Sequence, residues 1–155
     1  MNRTVMLSSQ AEETATYRAH FMHLRETGSY PGDFDGAQAT STDPLKRYPR
    51  MIHMHRWDQL SLEWLLDARI NAVLTALAGR EPLAVQTMLY FKPPRARGQA
   101  LHQDNYFLRV QPSTCIAAWL ALDPCDEANG CMRVVPGSQK WPLLCTVQAD
   151  LEQSF

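Results

Sequence analysis

The run Leu101-His102-Gln103-Asp104-Asn105 sets an imidazole and a carboxylate two residues apart, two side-chain types that commonly share a transition metal. In an extended segment successive side chains alternate faces. His102 and Asp104 then share one face, with origins about 6.6 Å apart at roughly 3.3 Å per residue, and two side chains of that reach can close on one cation. Such a pair is two-thirds of the facial triad in which two histidines and one carboxylate hold Fe(II), leaving positions open for a chelating cosubstrate and O₂. The same tripeptide also makes an ordinary hydrogen-bonded pair on a half-exposed strand, so neighbouring segments must decide. His53 and His55 stand at the same spacing. Beside Arg56 and Trp57, at a loop-to-helix transition, they read first as hydrogen-bonding or packing residues and only second as substitute ligands. His20 and His23, three apart, fit the partly solvated face of a helix.

The elements that must position these groups fall into two halves. Ser9 and Glu12 have capping-box spacing, and Tyr17, Phe21 and Leu24 follow at helical intervals, so residues 10–27 are expected to be an amphipathic helix closed by Gly28. Residues 28–44, rich in Gly, Pro, Ser, Thr and Asp, read as a long surface loop. Residues 61–78 carry the apolar stripe Ile70, Val73, Leu74 and Leu77, with Asp67 able to cap a fresh helix and split the region. After Pro82 the pattern changes to bulky and β-branched runs. Residues 83–92, 101–110, 114–122 and 131–135 are expected to be strands, bounded by Pro93-Pro94, Gln111-Pro112-Ser113, residues 123–130 and Pro136-Gly137. Helices first and strands afterwards indicate an α+β or helix-decorated all-β architecture rather than a doubly wound parallel sheet.

Composition narrows the function classes. The 155 residues are 45% apolar with a net charge of -1, which suits one globular domain and lacks the cationic footprint that phosphate backbones require, so no nucleic-acid partner is expected. The most apolar stretch, residues 110–122, is broken by Gln111 to Thr114 and falls short of the roughly 20 residues of a membrane span. Residues 1–10 lack the apolar core of a secretory signal, so a cytoplasmic location is expected. Cys115, Cys125, Cys131 and Cys145 form no Cys-x-x-Cys pair and read as thiols rather than a zinc site. Trp57, Trp64 and Trp141 read as packing aromatics, and Lys46, Arg47, Arg95 and Arg97 as solvated surface charge.

Three further segments flank the His102–Asp104 pair in fixed order. Gln86-Thr87-Met88-Leu89-Tyr90-Phe91-Lys92-Pro93-Pro94 precedes it, Ala118-Trp119-Leu120-Ala121-Leu122-Asp123 follows, and Asn129-Gly130-Cys131-Met132-Arg133-Val134-Val135-Pro136-Gly137-Ser138 closes the series. Together they resemble the phytanoyl-CoA dioxygenase family of Fe(II)- and 2-oxoglutarate-dependent oxygenases, over about residues 82–141. The resemblance implies a fold that is mainly β with N-terminal helices: a partial double-stranded β-helix, the cupin-like jelly roll, in one domain with residues 1–80 helical and 81–155 forming its first strands. It implies that His102 and Asp104 are the first two iron ligands, and that Met88, Tyr90 and Trp119 line the 2-oxoglutarate pocket, with Gln86 a candidate at the same wall. The implied reaction hydroxylates a small organic substrate while 2-oxoglutarate becomes succinate and CO₂.

The chain departs from that pattern after the second ligand. The family's third ligand is a later histidine followed by a basic residue that pairs with 2-oxoglutarate. No histidine follows Asp104, Gln139 stands where the family usually has His after Pro136-Gly137-Ser138, and the later basic residues are Arg109, Arg133 and Lys140. The reading is therefore of a C-terminally shortened chain with little or no turnover of its own, since one ligand and the charge-assisted cosubstrate anchor are lost. Two rivals stand beside it: a non-catalytic, degenerate jelly-roll binding module, which the absent ligand favours, and a cupin isomerase, which the Gln86 and Trp119 segments oppose.

Overall fold

The computed structural model describes residues 11–28, 34–35, 42, 48, 50–96 and 98–144. Tyr17, Phe21 and Leu24 are the buried side chains of helix α1 (Ala11–Thr27), the face their spacing selects. Gly28 follows at φ 65°, the left-handed conformation in which a residue without Cβ ends a helix at least cost. Ser9 of the capping box and most of the expected loop at 28–44 lie outside the described residues.

The chain divides into two units, Leu7–Ala96 and Arg97–Phe155 with Met1–Met6. In the first, Asp67 does split the second helical region. Helix α2 (Gln59–Leu65) is capped by Asp58, and α3 (Ala68–Ala78) by Asp67, whose carboxylate accepts from Arg69 N–H at 2.7 Å. Gly79 closes α3 at φ 69°. Asp58 is buried and shared three ways: one oxygen accepts from Ser61 N–H at 2.8 Å and Ser61 Oγ at 2.6 Å, and the other meets His20 Nε2 at 2.7 Å. One carboxylate thus caps α2 and fastens it to α1. Tyr17 meets Trp64 edge to face, with ring centroids 5.6 Å apart, which seals the same junction.

A small antiparallel sheet completes this unit. Strands β1 (Phe34–Asp35), β2 (Arg50–Ile52) and β3 (Met88–Tyr90) lie in that order, with Met51 opposite Phe34 on one side and Leu89 on the other. Met51 is 1% exposed and is the most deeply buried apolar side chain described. The turn Met54–Arg56 then docks on the segment before β3: His53 N–H donates to the Thr87 carbonyl at 2.8 Å, and His55 N–H to Thr87 Oγ1 at 3.2 Å.

The expected fold class is corrected. A mainly-β jelly roll is not what forms: among the described residues helices of 17, 7, 11 and 5 residues dominate, against strands of 2, 3 and 3. The expected strand at 83–92 contracts to β3, and residues 101–110 instead contain a short helix, α4 (Asp104–Leu108). Residues 114–122 and 131–135 run without ladder pairing. The physical reason is that a strand is stabilised by its neighbour, and none of the described residues supplies one for these runs. Their apolar side chains stay outside any core: Leu101 is 73% exposed, and Val134 and Trp119 are also exposed.

Candidate metal centre

His102 and Asp104 come together, though not by strand alternation. Gln103 is extended at φ -109°, ψ 119° and precedes the first turn of α4, which Asp104 opens. An acidic residue is favourable there because the free N–H groups of a helix start carry partial positive charge. The step from extended chain into helix brings the carboxylate back toward the imidazole, with His102 Nε2 and Asp104 Oδ1 3.3 Å apart. His102 Nδ1 is 2.7 Å from the Ala100 carbonyl, which can only accept, so Nδ1 carries a proton and Nε2 is the ring nitrogen left for a metal. Both side chains are open to solvent, at 34% and 52% exposure. The edge of one ring against the other fixes the imidazole further: His102 and Phe107 centroids lie 5.8 Å apart at 75°.

Gln103, between the two, performs a task the spacing rule did not reveal. Its amide donates to the Pro142 carbonyl at 3.1 Å and accepts from Leu144 N–H at 2.7 Å, tying that segment to the pair as a strand partner would. Cys115 lies within the electrostatic reach of Asp104; burial raises its thiol above the ordinary range, and the carboxylate's charge adds to the rise. Among the described residues no third His, Cys, Asp or Glu joins the pair to make a three-ligand group.

Of the expected cosubstrate residues, Met88 and Tyr90 share one face of β3, and Tyr90 Oη lies 4.0 Å from Met88 Sδ. Lys92 Nζ stands 5.6 Å from the Tyr90 ring centroid, and Arg50 is the register partner of Tyr90. Burial, and then the charge of Arg50, hold the Lys92 ammonium below its ordinary value. These two cations escaped the sequence reading, because only strand pairing places Arg50 beside residue 90. Gln86 is half-buried just before β3 in the same unit, whereas Trp119 is an exposed side chain of the second unit. His53 and His55 make a docking contact of their own: His55 Nδ1 meets Thr87 Oγ1 at 2.9 Å, and the two rings sit edge to face at 5.8 Å.

Known proteins were compared with the chain. No solved structure matched significantly. A phytanoyl-CoA dioxygenase 1 from Oryza sativa subsp. japonica is 34% identical over 88 residues, 56% of this chain and 31% of that protein. A peroxisomal phytanoyl-CoA dioxygenase from Rattus norvegicus is 41% identical over 105 residues, 64% of this chain and 31% of that protein. A phytanoyl-CoA dioxygenase domain-containing protein 1 from Mus musculus is 29% identical over 110 residues, 69% of this chain and 38% of that protein. The matches thus span about a third of the length of these relatives. The family model described as Phytanoyl-CoA dioxygenase (PhyH) matches residues 8–153, and the chain belongs to that family.

Proposed function

We propose that the chain is part of an Fe(II)- and 2-oxoglutarate-dependent dioxygenase that hydroxylates a small organic substrate, with His102 and Asp104 as iron ligands. The observation that carries this reading is the 3.3 Å approach of His102 Nε2 to Asp104 Oδ1 while Nδ1 is engaged by the Ala100 carbonyl. Two ligand atoms, each about 2.1 Å from one cation and at right angles, stand about 3.0 Å apart, so the pair needs little adjustment to share a metal. Ferrous iron, when bound, supplies O₂ activation coupled to the decarboxylation of 2-oxoglutarate to succinate and CO₂. The chain's own residues bind and orient. The Ala100 carbonyl holds the imidazole in the ligating tautomer, as outer partners of metal-bound histidines do. Asp104 brings the negative charge that favours a dication.

Gln86, Met88, Tyr90 and Trp119 are assigned to 2-oxoglutarate. With two protein ligands among the described residues, iron is held weakly and turnover is slow. The partner is a small molecule rather than nucleic acid or a membrane; no described helix is long and apolar enough to cross one. Cys115, Cys125 and Cys131 are free thiols, in keeping with the reducing cytoplasm we assign.

Equilibrium binding of 2-oxoglutarate to the full chain, with and without Fe(II) under anaerobic conditions, tests the reading. Binding that requires iron and disappears in His102→Ala is expected. Binding indifferent to iron, or to His102, contradicts it. Rapid His102-dependent succinate release on admitting O₂ would overturn the slow-turnover statement alone.

A further inference from the structure

Helix α4 ends in a residue whose backbone its side chain resists. Arg109 sits at φ 51°, ψ 41°, a left-handed conformation that glycine adopts freely and that a Cβ opposes. The turn is held from both sides: Arg109 N–H donates to the Asn105 carbonyl at 3.0 Å, and Asn105 Oδ1 accepts from Val110 N–H at 2.8 Å. Residues kept in disfavoured backbone regions are concentrated where a side chain has a task.

The side chain so presented lines an open cavity of about 310 Å³ with Asn105, Tyr106, Gln111, Ser113 and Leu143. The guanidinium has no ion pair or hydrogen bond with any described residue. Among the described residues the lining therefore holds one unpaired cation, several neutral hydrogen-bonding groups and no carboxylate, a polarity that suits an anion. Asn105, Tyr106 and Arg109 share one face of the α4 turn, and Asp104 lies on another, about 7.5 Å of helix rise before Arg109.

We infer that this cavity binds the carboxylate of a small molecule, at a site separate from the centre proposed above. One guanidinium balances one carboxylate charge, and its planar fork offers two parallel hydrogen bonds to the two oxygens. A coenzyme A thioester, with several phosphates, would call for several cations, and this lining has one.

The test uses the full chain without iron, titrated with hexanoate, hexanamide, inorganic phosphate and 2-oxoglutarate while the backbone amide signal of Tyr106, present in the parent chain and in Arg109 variants alike, is followed by NMR. Hexanoate is expected to shift that signal saturably and more tightly than the other three. Arg109→Gln should weaken hexanoate about 10- to 100-fold, the size expected for losing a charge-assisted hydrogen-bond pair. Arg109→Gly should weaken it equally while melting at the same or a higher temperature, because glycine relieves the backbone; a merely structural arginine would not combine these effects. Equal response to the amide, unchanged hexanoate affinity in Arg109→Gly, or tighter binding of phosphate would overturn the inference. Tighter binding of 2-oxoglutarate would do so too, by giving the site to the cosubstrate. Carboxylate binding in a chain that takes up no iron would reject the oxygenase reading and keep this site; iron-dependent 2-oxoglutarate binding with a silent Tyr106 signal would do the reverse.

Discussion

At the scale of single residues, the convergence of His102 and Asp104 was legible from an i, i+2 spacing, but the mechanism of convergence was not. Alternation along a strand was expected, and a step from extended chain into α4 achieves the approach instead. Spacing constrains reach more tightly than it constrains backbone type. Arg109 was invisible as a turn residue because Leu108-Arg109-Val110 contains none of the glycine or asparagine that marks a left-handed position. His102→Ala and Asp104→Asn should each weaken Fe(II) binding by at least about 100-fold in anaerobic calorimetry, since even outer-sphere partners of metal ligands are worth 10- to 100-fold. His55 gives a separate pH prediction. Burial, then the charges of His53 and Arg56, hold its imidazole below the ordinary 6.5. Folding thus disfavours its protonation, so this contribution is intact above about pH 6.5 and is lost as the pH falls toward the depressed folded value. Urea midpoints should drop between pH 7 and pH 5, and His55→Asn, which can still meet Thr87, should flatten the drop.

At the scale of elements, helices α1 to α3 were readable, whereas of the expected strands only the one at 83–92 forms in part, as β3, and for one reason. The period that marks α1 and the caps at Asp58 and Asp67 are local, written within a few residues of where they act. A ladder depends on a distant partner: β2 earns its place by lying between β1 and β3, whereas residues 114–122, with comparable strand-forming composition, have no such neighbour among the described residues. The fastening of α1 to α2 through Asp58 sets a prediction here. Asp58→Ala removes the α2 cap and strands the buried Ser61 hydroxyl and His20, so a loss of about 2–3 kcal/mol in urea unfolding is expected. Met51→Ala empties the centre of the small sheet and should cost about 2–5 kcal/mol by the same measurement.

At the scale of the molecule, the buried apolar side chains among the described residues all lie between Tyr17 and Ile70, while the His102–Asp104 pair belongs to the other unit, whose described apolar residues are exposed or half-exposed. Hydrogen exchange should report this division, with the amides of α1 and α3 protected and those of residues 114–122 exchanging fastest, because exchange follows local burial and hydrogen bonding. Family membership was legible because ordered motifs survive in the sequence whether or not the sheet around them closes; the jelly roll they implied was not formed, since its pairings reach across the chain. The most direct test of the central claim, that this imidazole and carboxylate grip one dication, is paramagnetic broadening of NMR signals in the full chain on adding one equivalent of Mn(II) as a stand-in for Fe(II). Broadening centred on His102, Asp104 and Phe107, and abolished in His102→Ala, is the expected result. Broadening centred on His53 and His55, or none near residue 102, would contradict it.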